Sequence, residues 1–169
     1  KHEFKNIPAS AMKLNKKQIS QLSELDIIDH IEYDEPVKAF NDTANYWFGT
    51  EKARTDFGVD GNTDGSLSSY SKDDVVVAVI DTGIDDDHVD LDGGKVIGWK
   101  DYVNGRTSAY DDNGHGTHVA GIVAGEGDGN SNYEGVAKGA ALVGVKVLDG
   151  NGDGYTSDVT AAIDWCVSN

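Results

Sequence analysis

Val75-Val76-Val77-Ala78-Val79-Ile80 is apolar at every position and ends on Asp81-Thr82-Gly83. A strand with one wet face alternates, so an unbroken run predicts a strand covered on both faces, as in a parallel sheet. Ala141–Leu148 reads as a second such strand. Between them, residues 115–124 read as a helix with Val119, Ile122 and Val123 inward. Residues 157–167 read as a last helix, with Val159, Ala162, Ile163, Cys166 and Val167 as its apolar stripe. Strand, helix, strand, helix predicts an α/β fold with a doubly wound, mainly parallel sheet.

Residues 1–40 differ in kind. An extended stretch precedes Asn15-Lys16-Lys17-Gln18, which has the form of a capping box and predicts a helix start. Ile19, Leu22 and Leu25 follow at helical spacing. Ile31 and Tyr33 then alternate with polar residues, predicting a half-buried strand that Pro36 stops. This is a small α+β unit. Residues 41–73 read as a polar loop with a short helix around 51–57.

The formal charge of −16 repels phosphate, which makes nucleic acid and anionic membranes poor partners. No run of 18 apolar residues is present to span a bilayer. The single cysteine, Cys166, forms no intrachain disulfide and sits on an apolar stripe, where a thiol acts as a small hydrophobe.

The candidate chemistry lies where the apolar elements end. Asp81 closes a buried strand, and sites in open parallel sheets lie beyond the carboxyl ends of strands. His115 opens a helix in Asn113-Gly114-His115-Gly116-Thr117-His118-Val119-Ala120-Gly121. His118 is expected inside the core rather than on a metal, since no third ligand is placed for the four-coordinate geometry of zinc.

These segments together resemble the subtilase family. Val-Ile-Asp-Thr-Gly-Ile (79–84) resembles its catalytic aspartate motif, and residues 113–121 resemble its catalytic histidine motif. Gly135-Val136-Ala137, Val145-Lys146-Val147-Leu148, Gly152, Gly154, Ile163 and Trp165 also fall where the family pattern expects them. The resemblance implies a serine endopeptidase in which Asp81 and His115 serve a serine, with protein or peptide substrates and no catalytic cofactor. The serine is expected beyond Asn169, so the chain by itself is expected to be inactive. Ser108 precedes the histidine and lacks the family's serine context.

The resemblance further implies that residues 1–40 are the later part of an inhibitory propeptide of ferredoxin-like α+β type, and that residues 41–169 begin the peptidase domain. Self-cleavage is expected at Phe40–Asn41, with Phe40 in the main specificity pocket and the propeptide acting as an intramolecular inhibitor. The segment around Gly152 and Gly154 is expected to pair with an extended substrate, with Leu148 and Val159 lining apolar subsites. Calcium is a possible structural ion: Asp90 matches a family ligand, and the loop 126–134 lies where many members bind it. Asp149–Gly154 and Asp60–Gly65 match the first half of an EF-hand loop but lack its closing Glu. A secreted monomer is the expected form. A calcium-dependent binding module and a non-catalytic relative of the family are the competing readings.

Overall fold

The computed structural model describes residues 2–3, 10–33, 44–66 and 69–169, and divides the chain into two compact units, residues 1–39 and 40–169. In the first, β1 (His2–Glu3) pairs antiparallel with β2 (Ser10–Ala11). Helix α1 (Lys16–Ser23) starts as its sequence predicts: the Asn15 side chain accepts from the Gln18 N–H at 3.0 Å, and Gln18 Oε1 accepts from the Asn15 N–H at 2.9 Å. The strand expected at Ile31–Tyr33 does not form; Tyr33 is 76% exposed and the segment joins no ladder among the described residues. Alternation alone does not make a strand without a neighbour to take its backbone hydrogen bonds.

The second unit opens with α2 (Ala44–Trp47) and α3 (Thr50–Phe57). Strands β3 (Val76–Asp81), β4 (Val96–Asp101) and β5 (Ala141–Lys146) form a parallel sheet in the order β3-β5-β4. Helix α4 (His115–Ala124) crosses from β4 to β5, and α5 (Thr156–Ser168) follows. Two apolar clusters show the layers. Val77, Val79 and Leu142 pack with Ala120 and Ala124 of α4. Ile80, Val143 and Val145, the alternate positions, pack with Ala162 of α5. One helix therefore covers each face, the doubly wound arrangement expected. No helix among the described residues is long and apolar enough to cross a membrane.

The second apolar run is covered as expected, whereas the first run, the strand β4 and the stripe of α5 depart from the sequence reading. β5 is buried at all but Val143, because it lies between two strands and two helices. β3 lies at the sheet edge, so Val75, Val76 and Ala78 are exposed despite the continuous apolar run. β4 has no clear signal in the sequence: Gly98 and Lys100 break up a short apolar stretch, and the strand is defined by its register with β5. On α5 the inward stripe is Val159, Ala162, Trp165 and Cys166; Ile163 and Val167 point to solvent.

Lys95 is fully buried between the turn before β4 and the segment before β5, with Nζ 2.7 Å from Lys138 O and 3.2 Å from Ala140 O. Its ammonium lies over the Tyr70 ring and 3.7 Å from Glu126. Burial pulls its pKa down to about 8 against the opposing charge of Glu126.

Candidate active site

Asp81 is the last residue of β3, and His115 is the first of α4. The two elements are held close by glycine. Gly83 has φ +120° and bridges Asp111 in antiparallel fashion; a Cβ there would lie 2.0 Å from Tyr110 O. A Cβ on Gly116 would lie 2.1 Å from Gly83 O. Only a bare backbone admits that approach.

The approach brings His115 Nδ1 to 2.7 Å from Asp81 Oδ1. The same oxygen accepts the Thr82 N–H at 2.7 Å. An ionised carboxylate only accepts, so the shared proton belongs to Nδ1 and the neutral ring presents Nε2 as its basic nitrogen. The pair sits at an open surface: the His115 side chain is 61% exposed and that of Asp81 14%. The hydrogen bond to Asp81, the charge of Asp81 and, more weakly, the charge of Asp111 raise the His115 pKa above its ordinary value. Such a ring, oriented by a carboxylate and open on its other nitrogen, can take a proton from a hydroxyl and return it to a leaving group.

Asp111, which sequence reasoning missed, is bound on both oxygens by the start of α4 and the Thr82 turn. Lys146 enters the sequence reading only as part of a motif. It is fully buried, and its Nζ donates to Thr82 O at 2.5 Å, Asp112 Oδ1 at 2.6 Å and Leu148 O at 2.8 Å. A lone lysine in the apolar run 141–148 is the signal that could have found it, since a buried charge requires acceptors.

The expected substrate residues form a hairpin suspended from Asp81. The Val147 and Leu148 N–H groups both donate to Asp81 O, at 2.9 and 3.2 Å. Leu148 and Gly154 are bridged antiparallel, and Gly152 takes φ +85° in the turn between them. Val159 packs beneath, half-buried, with the cluster around Val145 and Val147. Asp149, one of the EF-hand-like positions, has an oxygen committed to the turn, accepting from Asn151 and Asp153 N–H at 2.8 and 3.1 Å.

His118 is exposed, contrary to expectation. Gly116, Ala120 and Ala124 form the buried face of α4, four residues apart, which turns His118 and Ile122 outward. Ser108 is exposed in a hollow of about 300 Å³ with Trp99, Thr107 and Ala109, lined by neither Asp81 nor His115. The Cys166 thiol is pushed up in pKa by burial, which opposes a reactive thiolate. Phe40 and Asn41 lie outside the described residues.

Asp90 Oδ1 accepts the Gly129 N–H at 2.9 Å, and Asp90 O accepts from Glu126 at 3.0 Å, clasping the loop that begins at Glu126. Among the described residues no three His, Cys, Asp or Glu side chains converge on one point. Calcium takes six to eight oxygens, so an ion at Asp90 would draw most of them from carbonyls and amides of that loop.

The subtilase family model matches residues 72–169. Serine protease AprX of Bacillus subtilis is 51% identical over 94 residues, covering 55% of this chain and 21% of its own. Alkaline serine exoprotease A of Vibrio alginolyticus is 36% identical over 163 residues, covering 92% of this chain and 29% of its own. Subtilisin E of Bacillus subtilis is 34% identical over 170 residues, covering 99% of this chain and 41% of its own. The chain thus spans between about a fifth and two fifths of the length of these relatives.

Proposed function

The chain belongs to the subtilase family, and on that footing we propose that it supplies the aspartate and histidine of a secreted serine endopeptidase. The observation behind this is the 2.7 Å contact of His115 Nδ1 with Asp81 at the carboxyl edge of a parallel sheet. His115 Nε2 takes the proton of a serine hydroxyl as it attacks the peptide carbonyl, then delivers it to the departing amine. Asp81 keeps Nδ1 protonated and stabilises the imidazolium. The serine is supplied from beyond residue 169. An extended substrate adds as a strand along the Leu148–Gly154 hairpin, over Gly152, with Leu148 and Val159 lining the apolar subsites.

The test is hydrolysis of an unfolded protein by the product that includes this chain and its continuation, followed against pH. The protonated ring is no base, so kcat/KM rises as His115 loses its proton. Because Asp81 raises that pKa, the midpoint of the rise lies above the ordinary histidine value of about 6.5. A rate that does not depend on pH between about 5 and 8 contradicts the role.

Residues 1–40 act, in this proposal, as the end of an inhibitory propeptide released by cleavage at Phe40–Asn41. Mass spectrometry of the matured protein is expected to place its amino terminus at Asn41; a terminus more than a few residues away rejects the site. Calcium at Asp90 is proposed as a structural ion only. The expected result is a higher thermal midpoint in calcium than in chelator, with the difference lost in Asp90→Ala. Equal midpoints would remove the ion from the proposal.

A further inference from the structure

Gly114, the residue that caps α4, has no side chain to offer the free N–H groups of the first turn. Asn113 Oδ1 accepts the His115 N–H at 3.2 Å, and Asp111, three residues before the cap, takes the Thr117 N–H and braces the residues around it. Its Oδ1 accepts from the Gly114 N–H at 2.9 Å, the Asn113 N–H at 3.1 Å and the Thr82 hydroxyl at 2.9 Å. Its Oδ2 accepts from the Thr117 N–H at 2.9 Å and the Thr117 hydroxyl at 2.6 Å. Thr82 Oγ1 in turn accepts the Gly116 N–H at 2.9 Å. One carboxylate therefore joins the residue after Asp81, the two residues before His115 and the first turn behind it.

We infer that Asp111 is a positioning residue that fixes the distance between Asp81 and His115. The inference rests on reading that pair as catalytic. Each half of the pair sits on its own element, and α4 could slide or rotate against β3 on its smooth face of Gly116, Ala120 and Ala124. Asp111 removes that freedom, because the Thr82 hydroxyl bonds the Asp81 turn to the same carboxylate that holds the helix. The carboxylate is well suited to this. Burial works against its charge, but the Thr117 hydroxyl and the backbone N–H groups of Gly114, Thr117 and Asn113 outweigh it and bring the pKa down to about 2. The clamp therefore stays ionised wherever His115 can act as a base. Asp81 and Asp111 are the two carboxylates whose charge raises the His115 pKa.

The test is proton NMR of the full chain, following the His115 Nδ1–H signal and the imidazole titration, with β5 amide signals as the control for folding. The parent chain is expected to show a low-field Nδ1–H and a titration midpoint above about 6.5. In Asp111→Ala the low-field signal is expected to be lost and the midpoint to move down, with the β5 amides in place. An unchanged Nδ1–H in a folded Asp111→Ala chain overturns the inference and leaves the catalytic pair intact. Should Asp111→Ala fail to fold, Asp111→Asn decides: it keeps the shape and the Gly116–Thr82 bond but puts an amide nitrogen where one carboxylate oxygen accepts. Loss of the signal there, with the β5 amides in place, supports the inference, and an unchanged signal overturns it. A parent chain that folds without the low-field proton defeats the catalytic reading itself, and the inference with it.

Discussion

Replacing His115 by alanine in the protein that carries its serine is expected to lower kcat by about a millionfold with little change in KM. The magnitude is that of the triad histidine in subtilisin, a member of this family, and is carried over to His115 by kinship. The geometry supplies the reason for the split. The ring is 2.7 Å from Asp81 and presents Nε2 at an open surface, so in the proposed role it acts when the serine hydroxyl loses its proton. Extended substrate is expected to bind along Leu148–Gly154, and that hairpin hangs from Asp81 O and Lys146, with no hydrogen bond to the imidazole. Steady-state kinetics on a peptide ester would separate the two. A variant that loses activity through KM alone would place His115 in substrate binding.

Gly116→Ala is the second change with a large expected effect. Its Cβ would meet Gly83 O at 2.1 Å, Gly83 N at 3.1 Å and Asp81 Cβ at 3.2 Å. These are chiefly backbone atoms, so no flexible side chain can move aside. Either α4 lifts from β3 or the turn after Asp81 shifts, and both separate Asp81 from His115. A cost of about 4 kcal/mol or more is expected, a large share of the roughly 5–15 kcal/mol that holds a domain together. Gly121→Ala, one and a half turns along the same helix, is the matched control. Its Cβ would meet nothing within 4 Å, so it is expected to be neutral or to stabilise by up to about 1 kcal/mol through better helix propensity. Thermal unfolding of the two variants checks this. Equal midpoints would mean that the tight contact at Gly116 does not hold the site together.

The parts of this molecule that are legible in its sequence are those fixed by local chemistry. The capping box of Asn15 and Gln18 is a short-range exchange of hydrogen bonds, and α1 starts where it says. Residues 115–124 read as a helix, and α4 has those bounds. Asp81 at a strand end and His115 at a helix start are visible because an apolar run stops at one and starts near the other. The misreadings have one cause, that burial belongs to neighbours and not to the run itself. Val76 and Ala78 look like core but lie at an edge. β4 looks like loop but is held in register by β5. His118 sits in an apolar helix, yet it falls on the face opposite Gly116 and Ala120. Asp111 is hidden for a related reason. It caps a helix across a turn, and its link to Thr82 spans 29 residues, which spacing along the chain does not reveal.

Labelling with an organophosphonate reagent specific for activated serine tests whether Asp81 and His115 serve a serine nucleophile. The reagent is applied to the protein comprising this chain and its continuation, and the labelled peptide is then mapped. The expected result is a single modified serine in a Gly-Thr-Ser context beyond residue 169, with labelling abolished in His115→Ala. Absence of labelling in the folded parent, or labelling that survives His115→Ala, would contradict it and turn Asp81 and His115 into the remnant of a site without catalytic use.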